Sequence, residues 1–563
     1  MKTFAEIPYC RPDYKAVAEM LSSYTEKLKN AASYEEMRQV FFERQKAMRE
    51  PATMASVCMI RADINTADPF YAEEKKFINR EQPGLIAYEK AWNQALLDSP
   101  YRKDFSREFG DRVFVLLENQ VRTKDPAISQ DLVEESLLVD EYSRAVAGCS
   151  VEFMGKSCNF YGLLAFMEHP DRQVRKAAFQ QWSRLYEGVA DKLDDILGRM
   201  VKLRIRMANK MGFDGYIPYI YLCRGRFDYG AEQAAAFRKQ VQEVITPAVA
   251  KLRQAQAQRL GIDKMHYYDE NLYFPEGNSD PHGDKEFMVA AARKMYAELS
   301  PETREFFDYM VEHQLFDLET KPGKRLGGYC SRIPNERVPF IFSNFNGTSA
   351  DTDVLTHEAG HAFQAYTAGK TIPIDSLCNS TSEINEIHSM SMETFTFPWM
   401  ELFFGEGADK YRYAHLVDSL ACMPYMCAVD EFQHRIYENP EMTGKDYRRV
   451  WHELERKYLP WRDYDGNAFL EEGGFWMQKQ HIFMYPFYYI DYALAQTCAF
   501  EFYTKMLENR DAAWNDYLKL CRSGGMRGYF DTLEYAGLCN PFVPGSVAQS
   551  VSGVLKVLES SGF

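Results

Sequence analysis

The sequence predicts a mainly α-helical protein with one small β-sheet, on three observations. Apolar and charged residues alternate at helical spacing through the N-terminal third, for example over 13–32, 34–49, 130–147 and 170–201. Strand-type residues, aromatic and β-branched, concentrate between about 320 and 346. A pentapeptide at 357–361 places two histidines one helical turn apart. Pro51 and Asp98-Ser99-Pro100 mark expected helix breaks, and 269–284, rich in Pro, Gly, Asn and Asp, is an expected loop. No repeat of fixed period and no low-complexity segment interrupts the chain. At 563 residues it is too long for one simple core, so a large domain with an added lobe is expected.

Composition excludes several roles. Hydrophobic residues make up 46% and charged residues 26%, which is ordinary for a globular protein. A net charge of −15 argues against nucleic acid and acidic membranes as partners, since both demand a basic face. No apolar run reaches membrane length. The start, 1–8, has no apolar leader core, so no signal peptide is expected. Twelve cysteines without a Cys-x-x-Cys pair suit a reduced thiol set and a cytoplasmic location.

In chain order, Gly323, Gly327-Gly328 and Pro334 punctuate turns around a short extended piece at 329–332. A strand at 338–345 follows and breaks at Asn346-Gly347, and Pro339 suits an edge strand or a strand start. An edge strand beside the helix that follows could grip an extended peptide through main-chain hydrogen bonds. The same residues also fit a purely structural hairpin.

The next element is a helix with Thr348 or Ser349 as N-cap, Asp351 and Asp353 in its first turn, and Gly369 as its stop. It carries His357-Glu358-Ala359-Gly360-His361. Histidines at i and i+4 share a face and can meet one Zn²⁺, each at about 2.0–2.1 Å. Glu358 is then placed to take a proton from a metal-bound water, which is the zinc-peptidase pattern. Such a site needs a third protein ligand. Glu383, Glu386 and Glu393 fall near one face of the following helix, and helical spacing alone does not choose among them. His388 is a rival, but it points away from Glu386.

A third cluster runs from Glu471-Glu472-Gly473-Gly474 to His481, Tyr485, Tyr488 and Tyr492. Pro486 reads as the first residue of a helix, with Tyr488 and Tyr492 one turn apart. Attack on a peptide carbonyl creates an oxyanion, and phenol or imidazole donors beside a metal would stabilise it. With 36 tyrosines and 38 phenylalanines in the chain, an aromatic stripe also fits plain core.

These three clusters, with Leu260-Gly261-Ile262-Asp263-Lys264 upstream, resemble the thimet-oligopeptidase family, and within it the oligoendopeptidase F branch most. The resemblance covers roughly residues 190 to 545. It implies Glu386 as third ligand of a single Zn²⁺, and Glu393, seven residues on, as a support behind the ligands. Asp353 is grouped with Glu393 in that supporting role. It also implies that His481 and the tyrosines 485, 488 and 492 act on the oxyanion or the substrate, although His481 stands one residue nearer Tyr485 than in mammalian members. The expected architecture is two helical lobes around a deep substrate channel: an N-terminal lobe over 1–190 and a catalytic region over 191–563. The expected activity is zinc-dependent endopeptidase cleavage of short, unfolded peptides by attack of the metal-bound water. A zinc carboxypeptidase or dipeptidyl-carboxypeptidase would need a cation for the substrate's terminal carboxylate, and the sequence singles out none among 66 Lys and Arg residues. A non-enzymatic peptide-binding protein would have no use for Glu358.

Overall fold

The computed structural model describes residues 3–321, 323–325 and 327–563. Parts of two segments read above, the start at 1–8 and the turns at 321–335, lie outside the described residues at Met1, Lys2, Pro322 and Leu326. The chain is 71% helical, with two small sheets among the described residues. None of the described helices is long and apolar enough to cross a membrane. All twelve cysteines are free.

The N-terminal helices form where the periodicity places them, at Tyr14–Lys29, Tyr34–Ile64, Ser129–Ala147 and Arg172–Lys210. Two differ from expectation in extent. Pro51 lies inside the 31-residue helix Tyr34–Ile64 instead of ending it. A helical proline costs about 3 kcal/mol. Burial of Met37 and Phe41 before it, and of Met54, Val57, Cys58 and Ile60 after it, carries the helix through. The helix Arg172–Lys210 runs unbroken across the lobe boundary expected at 190. The break at Asp98-Ser99-Pro100 separates helices Ile86–Leu97 and Arg102–Phe109.

A hairpin of β1 (Val151–Phe153) and β2 (Lys156–Cys158) forms one sheet. The other has the order β3-β5-β4, from β3 (Phe316–Glu319), β4 (Tyr329–Ile333) and β5 (Val338–Phe345). β5 pairs parallel to β3 and antiparallel to β4. The segment containing Pro339 is therefore the central strand, and β4 is an edge. Pro339 is tolerated as the second residue of β5, opposite Arg332. The sequence reading passed over β3, whose four residues include two acids.

The motif helix, Ala350–Thr371, packs on β5 on one side and on the helix Ser382–Phe395 on the other. Ser349 makes no side-chain cap; the Asp351 carboxylate instead accepts from the backbone N–H of Asn346 and Gly347 at 2.7–3.0 Å. Gly369 does not stop the helix, which continues to Thr371. Its missing side chain serves packing: a Cβ there would lie 2.4 Å from the Arg337 carbonyl oxygen. Gly360 has the same role against the neighbouring helix, where a Cβ would meet the His388 oxygen and Ser389 Cα at 2.6 Å. The N-terminal helices are sealed to this framework. Leu28, Met37, Phe41, Trp92 and Phe114 share a core with Ala368 and Ile372 at the end of the motif helix. Asp63 accepts from the Tyr329 hydroxyl of β4 at 3.1 Å.

Gly360→Ala should therefore lower stability by about 1–3 kcal/mol, the usual cost of overpacking a tight contact. Gly188→Ala, in the helix Arg172–Lys210 with open space at the Cβ position, should be neutral or slightly stabilising. Denaturant midpoints of the two variants check this; equal effects would contradict it.

Candidate active site

Three side chains converge where the motif helix meets its neighbour. His357 Nε2 and His361 Nε2 lie 3.3 and 3.4 Å from Glu386 Oε2. The ligand atoms of these three residues all lie within 4.8 Å of one another. In a tetrahedral site with arms of about 2.0–2.1 Å, ligand atoms stand about 3.3–3.4 Å apart. The donor set of two imidazoles and a carboxylate suits a borderline divalent ion. The residues therefore fit a single metal ion.

Glu383 and His388 are not part of this cluster. Glu383 is fully buried, and burial together with nearby Asp491 pushes its carboxyl up to about 7. Arg226 opposes that shift and donates to Asp491 at 2.6 Å. His388 is buried, and burial pushes it down to about 3.

Around the cluster, His357 Nδ1 is 2.6 Å from Glu393 Oε1. The other Glu393 oxygen is 2.8 Å from His415 Nε2. Asp353 has no hydrogen bond to either motif histidine among the described residues; it accepts from the Tyr411 hydroxyl and lies 3.8 Å from His415. Burial raises Asp353 to about 6 against the pull of His415, while Glu393 and Asp353 hold His415 up at about 9 despite its burial. Tyr411 and His415, which the sequence reading missed, sit one turn apart on the helix Ala408–Glu438. That spacing was visible, but nothing in the sequence tied it to residue 393.

Glu358 is buried and its Oε2 has no hydrogen-bond partner among the described residues. Burial raises its pKa, and the two motif histidines oppose the rise. Gly328, just before the edge strand β4, abuts it: a Cβ on Gly328 would lie 3.4 Å from Glu358 Oε1.

The tyrosine segment closes the site from the opposite side. Pro486 does not begin a helix. It precedes a left-handed residue, Phe487, with φ +61°, and the helix starts at Tyr489. The turn is held from outside: Arg224 Nε donates to the Pro486 carbonyl at 2.6 Å, and the Phe487 N–H donates to Gln433 at 2.8 Å. Tyr488 donates its hydroxyl to Glu386 Oε1, and Ser389 donates to Oε2 at 2.9 Å. Tyr488 and Tyr492 meet edge to face, with centroids 5.2 Å apart. Tyr492 feels the charges of both Glu386 and Glu358. His481 lies among Tyr485, Tyr488, Tyr489 and Tyr492 at 4.9–6.2 Å between centroids. Tyr485 is exposed and touches no ligand residue, but it lines an adjoining cavity of about 620 Å³.

Comparison with known proteins gives the family. Residues 4–124 match the Peptidase M3 N-terminal domain, and residues 165–548 match Peptidase family M3. The chain belongs to peptidase family M3. It is 24% identical over 398 residues to the chromosomal oligoendopeptidase F of Lactococcus lactis subsp. cremoris, covering 67% of this chain and 62% of the relative. It is 22% identical over 517 residues to the group B oligopeptidase PepB of Streptococcus agalactiae serotype III (strain NEM316), covering 84% and 79%. The match thus spans less than two thirds of the oligoendopeptidase F relative. Among solved structures, PZ peptidase A with an inhibitor is 44% identical, with a TM-score of 0.95 over 99% of each chain.

His481 and His434 carry a pH dependence. Burial lowers them to about 3 and about 4, against about 6.5 in an unfolded chain. Both are neutral in the fold, so the stability they contribute is fully present above about pH 6.5 and is lost as pH falls towards their folded values. Denaturant unfolding should show a weaker protein at pH 4.5 than at pH 7, and His434→Gln should flatten that difference. A wild type equally stable at both pH values would contradict the assignment.

Proposed function

We propose that the protein is a zinc-dependent endopeptidase acting on short, unfolded peptides in the cytoplasm. One observation carries the reading: two imidazoles and a carboxylate at tetrahedral spacing, with a buried, unpaired carboxylate next to them. His357, His361 and Glu386 would hold the zinc. When bound, zinc supplies Lewis acidity towards the scissile carbonyl and towards a water. Glu358 is the general base: it takes the water's proton and later passes it to the leaving amine. Its raised pKa suits both halves of that task. Glu393 receives the His357 Nδ1 proton side and fixes the ring, with His415 behind it.

The phenols divide the remaining work. Tyr488 is engaged with Glu386 and acts through that ligand. Tyr492, beside both Glu358 and Glu386, donates its hydroxyl to the developing oxyanion. His481, kept neutral by burial, adds an N–H donor or orients the substrate. The edge of β4, next to Glu358, offers main-chain hydrogen bonds to an extended peptide and reads little of its sequence. The N-terminal lobe, over 1–190, is docked on the catalytic region through a shared core, and its helix Arg112–Thr123 supplies one wall of the adjoining cavity. The twelve free cysteines support a reducing compartment.

Glu358→Gln should keep its metal and lose about 10²–10⁴-fold in turnover. A fluorogenic peptide assay on protein of measured metal content checks it, and near-normal turnover would remove the base. Tyr492→Phe should lower kcat by about 10²–10³-fold with little change in KM, as loss of one oxyanion donor does. Tyr488→Phe should also weaken metal retention, because it frees Glu386. Unchanged kinetics in both variants would take the phenols out of the mechanism.

A further inference from the structure

The cavity of about 620 Å³ beside the site has an unexpected charge. In a chain of net charge −15, its walls carry Arg112, Lys124 and Arg224. None of the three forms an ion pair among the described residues. Its one acidic wall residue, Glu135, is already bonded to Arg204. The Arg112 Nε is buried without a hydrogen-bond partner, its guanidinium lying 5.1 Å over the Phe227 ring. Burial lowers the pKa of both Arg112 and Arg224. Asp228 and Asp531 act on Arg112, and Asp491 on Arg224, only through their fields, without an ion pair. A partly desolvated guanidinium with no bonded anion is costly, and an anion in the cavity would relieve that cost.

Arg224 ties this cavity to the reacting centre. Its Nε is used by the Pro486 carbonyl, and its guanidinium carbon lies 4.9 Å over the Tyr488 ring. The hydroxyl of that same ring is on Glu386. One phenol ring therefore separates the guanidinium from the metal-site carboxylate. A peptide running from the scissile bond would cover that distance in two or three residues, at about 3.3–3.6 Å each. The Ser382 and Tyr485 side chains line the same space.

We propose that this cavity is a subsite for the free C-terminal carboxylate of the substrate, received by the Arg224 guanidinium with Arg112 and Lys124 supplying the field around it. The proposal rests on the peptidase reading and deepens it. Substrates whose C-terminus falls two or three residues beyond the cleaved bond gain a charge-assisted contact that longer or amidated peptides lack. A planar, forked cation is the group best matched to a carboxylate.

The test is calorimetric binding of trialanine and trialanine amide to the zinc-loaded Glu358→Gln protein, repeated with Arg224→Gln and with Arg112→Gln added. The acid should bind more tightly than the amide, by about 10–100-fold for a hydrogen-bonded charge. Arg224→Gln should remove most of that preference, with a larger loss for the acid than for the amide. Arg112→Gln, which touches no residue of the Pro486 turn, should reduce the preference in part, and it serves if Arg224→Gln does not fold. Equal binding of acid and amide, or a preference that survives both substitutions, would overturn the subsite. Equal losses for acid and amide in Arg224→Gln would mean that Arg224 only holds the turn, and would overturn it too. Binding is read without turnover, so a protein that cleaves no peptide would sink the peptidase reading while the subsite is still decided.

Discussion

The contact between the motif helix and the helix Ser382–Phe395 is the constraint on which the site depends. At Gly360 the two backbones come so close that a Cβ would meet the next helix's backbone at 2.6 Å. Glu386 sits one turn before that contact and the two histidines flank it on the other helix. Their donor atoms reach 3.3–3.4 Å because the backbones do. The glycine inside His-Glu-Ala-Gly-His is thus as much part of the site as the histidines, although it offers no ligand atom. Wider helix spacing would leave Glu386 buried away from the two histidines, at a cost of roughly 1–3 kcal/mol.

The electrostatics follow from that packing. Glu358 and Glu386 are buried, and Glu393 is mostly so, each under the influence of the motif histidines. Every oxygen of Glu386 and Glu393 is taken, by Tyr488, Ser389, His357 or His415. Of these three acids, only Glu358 keeps a buried oxygen without a hydrogen-bond partner among the described residues. A buried acid without a partner is an expensive feature, and one that a general base requires. Arg226 and Asp491 form a second buried ion pair on the tyrosine helix, with Glu383 in its field, and it shares no atom with the first group. Arg226 also donates to the Phe487 carbonyl, so this group stiffens the turn that presents Tyr488.

Features that repeat with a local period were legible in the sequence. The helical stretches, the strand at 338–345 and the histidine pair follow from spacing within one element. Features set by a distant partner were not. The Pro486 turn looked like a helix start because the residues that bend it, Arg224, Arg226 and Gln433, lie far away in sequence. Pro51 looked like a break because the burial that overrides it is tertiary. Gly369 looked like a stop for the same reason: its neighbour, Arg337, belongs to the turn before β5. Helical spacing allowed Glu383 as well as Glu386, and only resemblance to a family chose between them. In the fold the choice is physical, since Glu383 faces Arg226 and Asp491. His415 carried no signal of its own.

The most direct test of this account is a zinc-edge anomalous map from crystals of the metal-loaded protein. A single peak should lie between His357 Nε2, His361 Nε2 and Glu386, with Glu393 on His357 Nδ1 and Glu383 apart from it. A peak bound by Glu383 or His388, or no peak at this position in protein that holds zinc in solution, would contradict the central claim that the Gly360 contact builds the metal site.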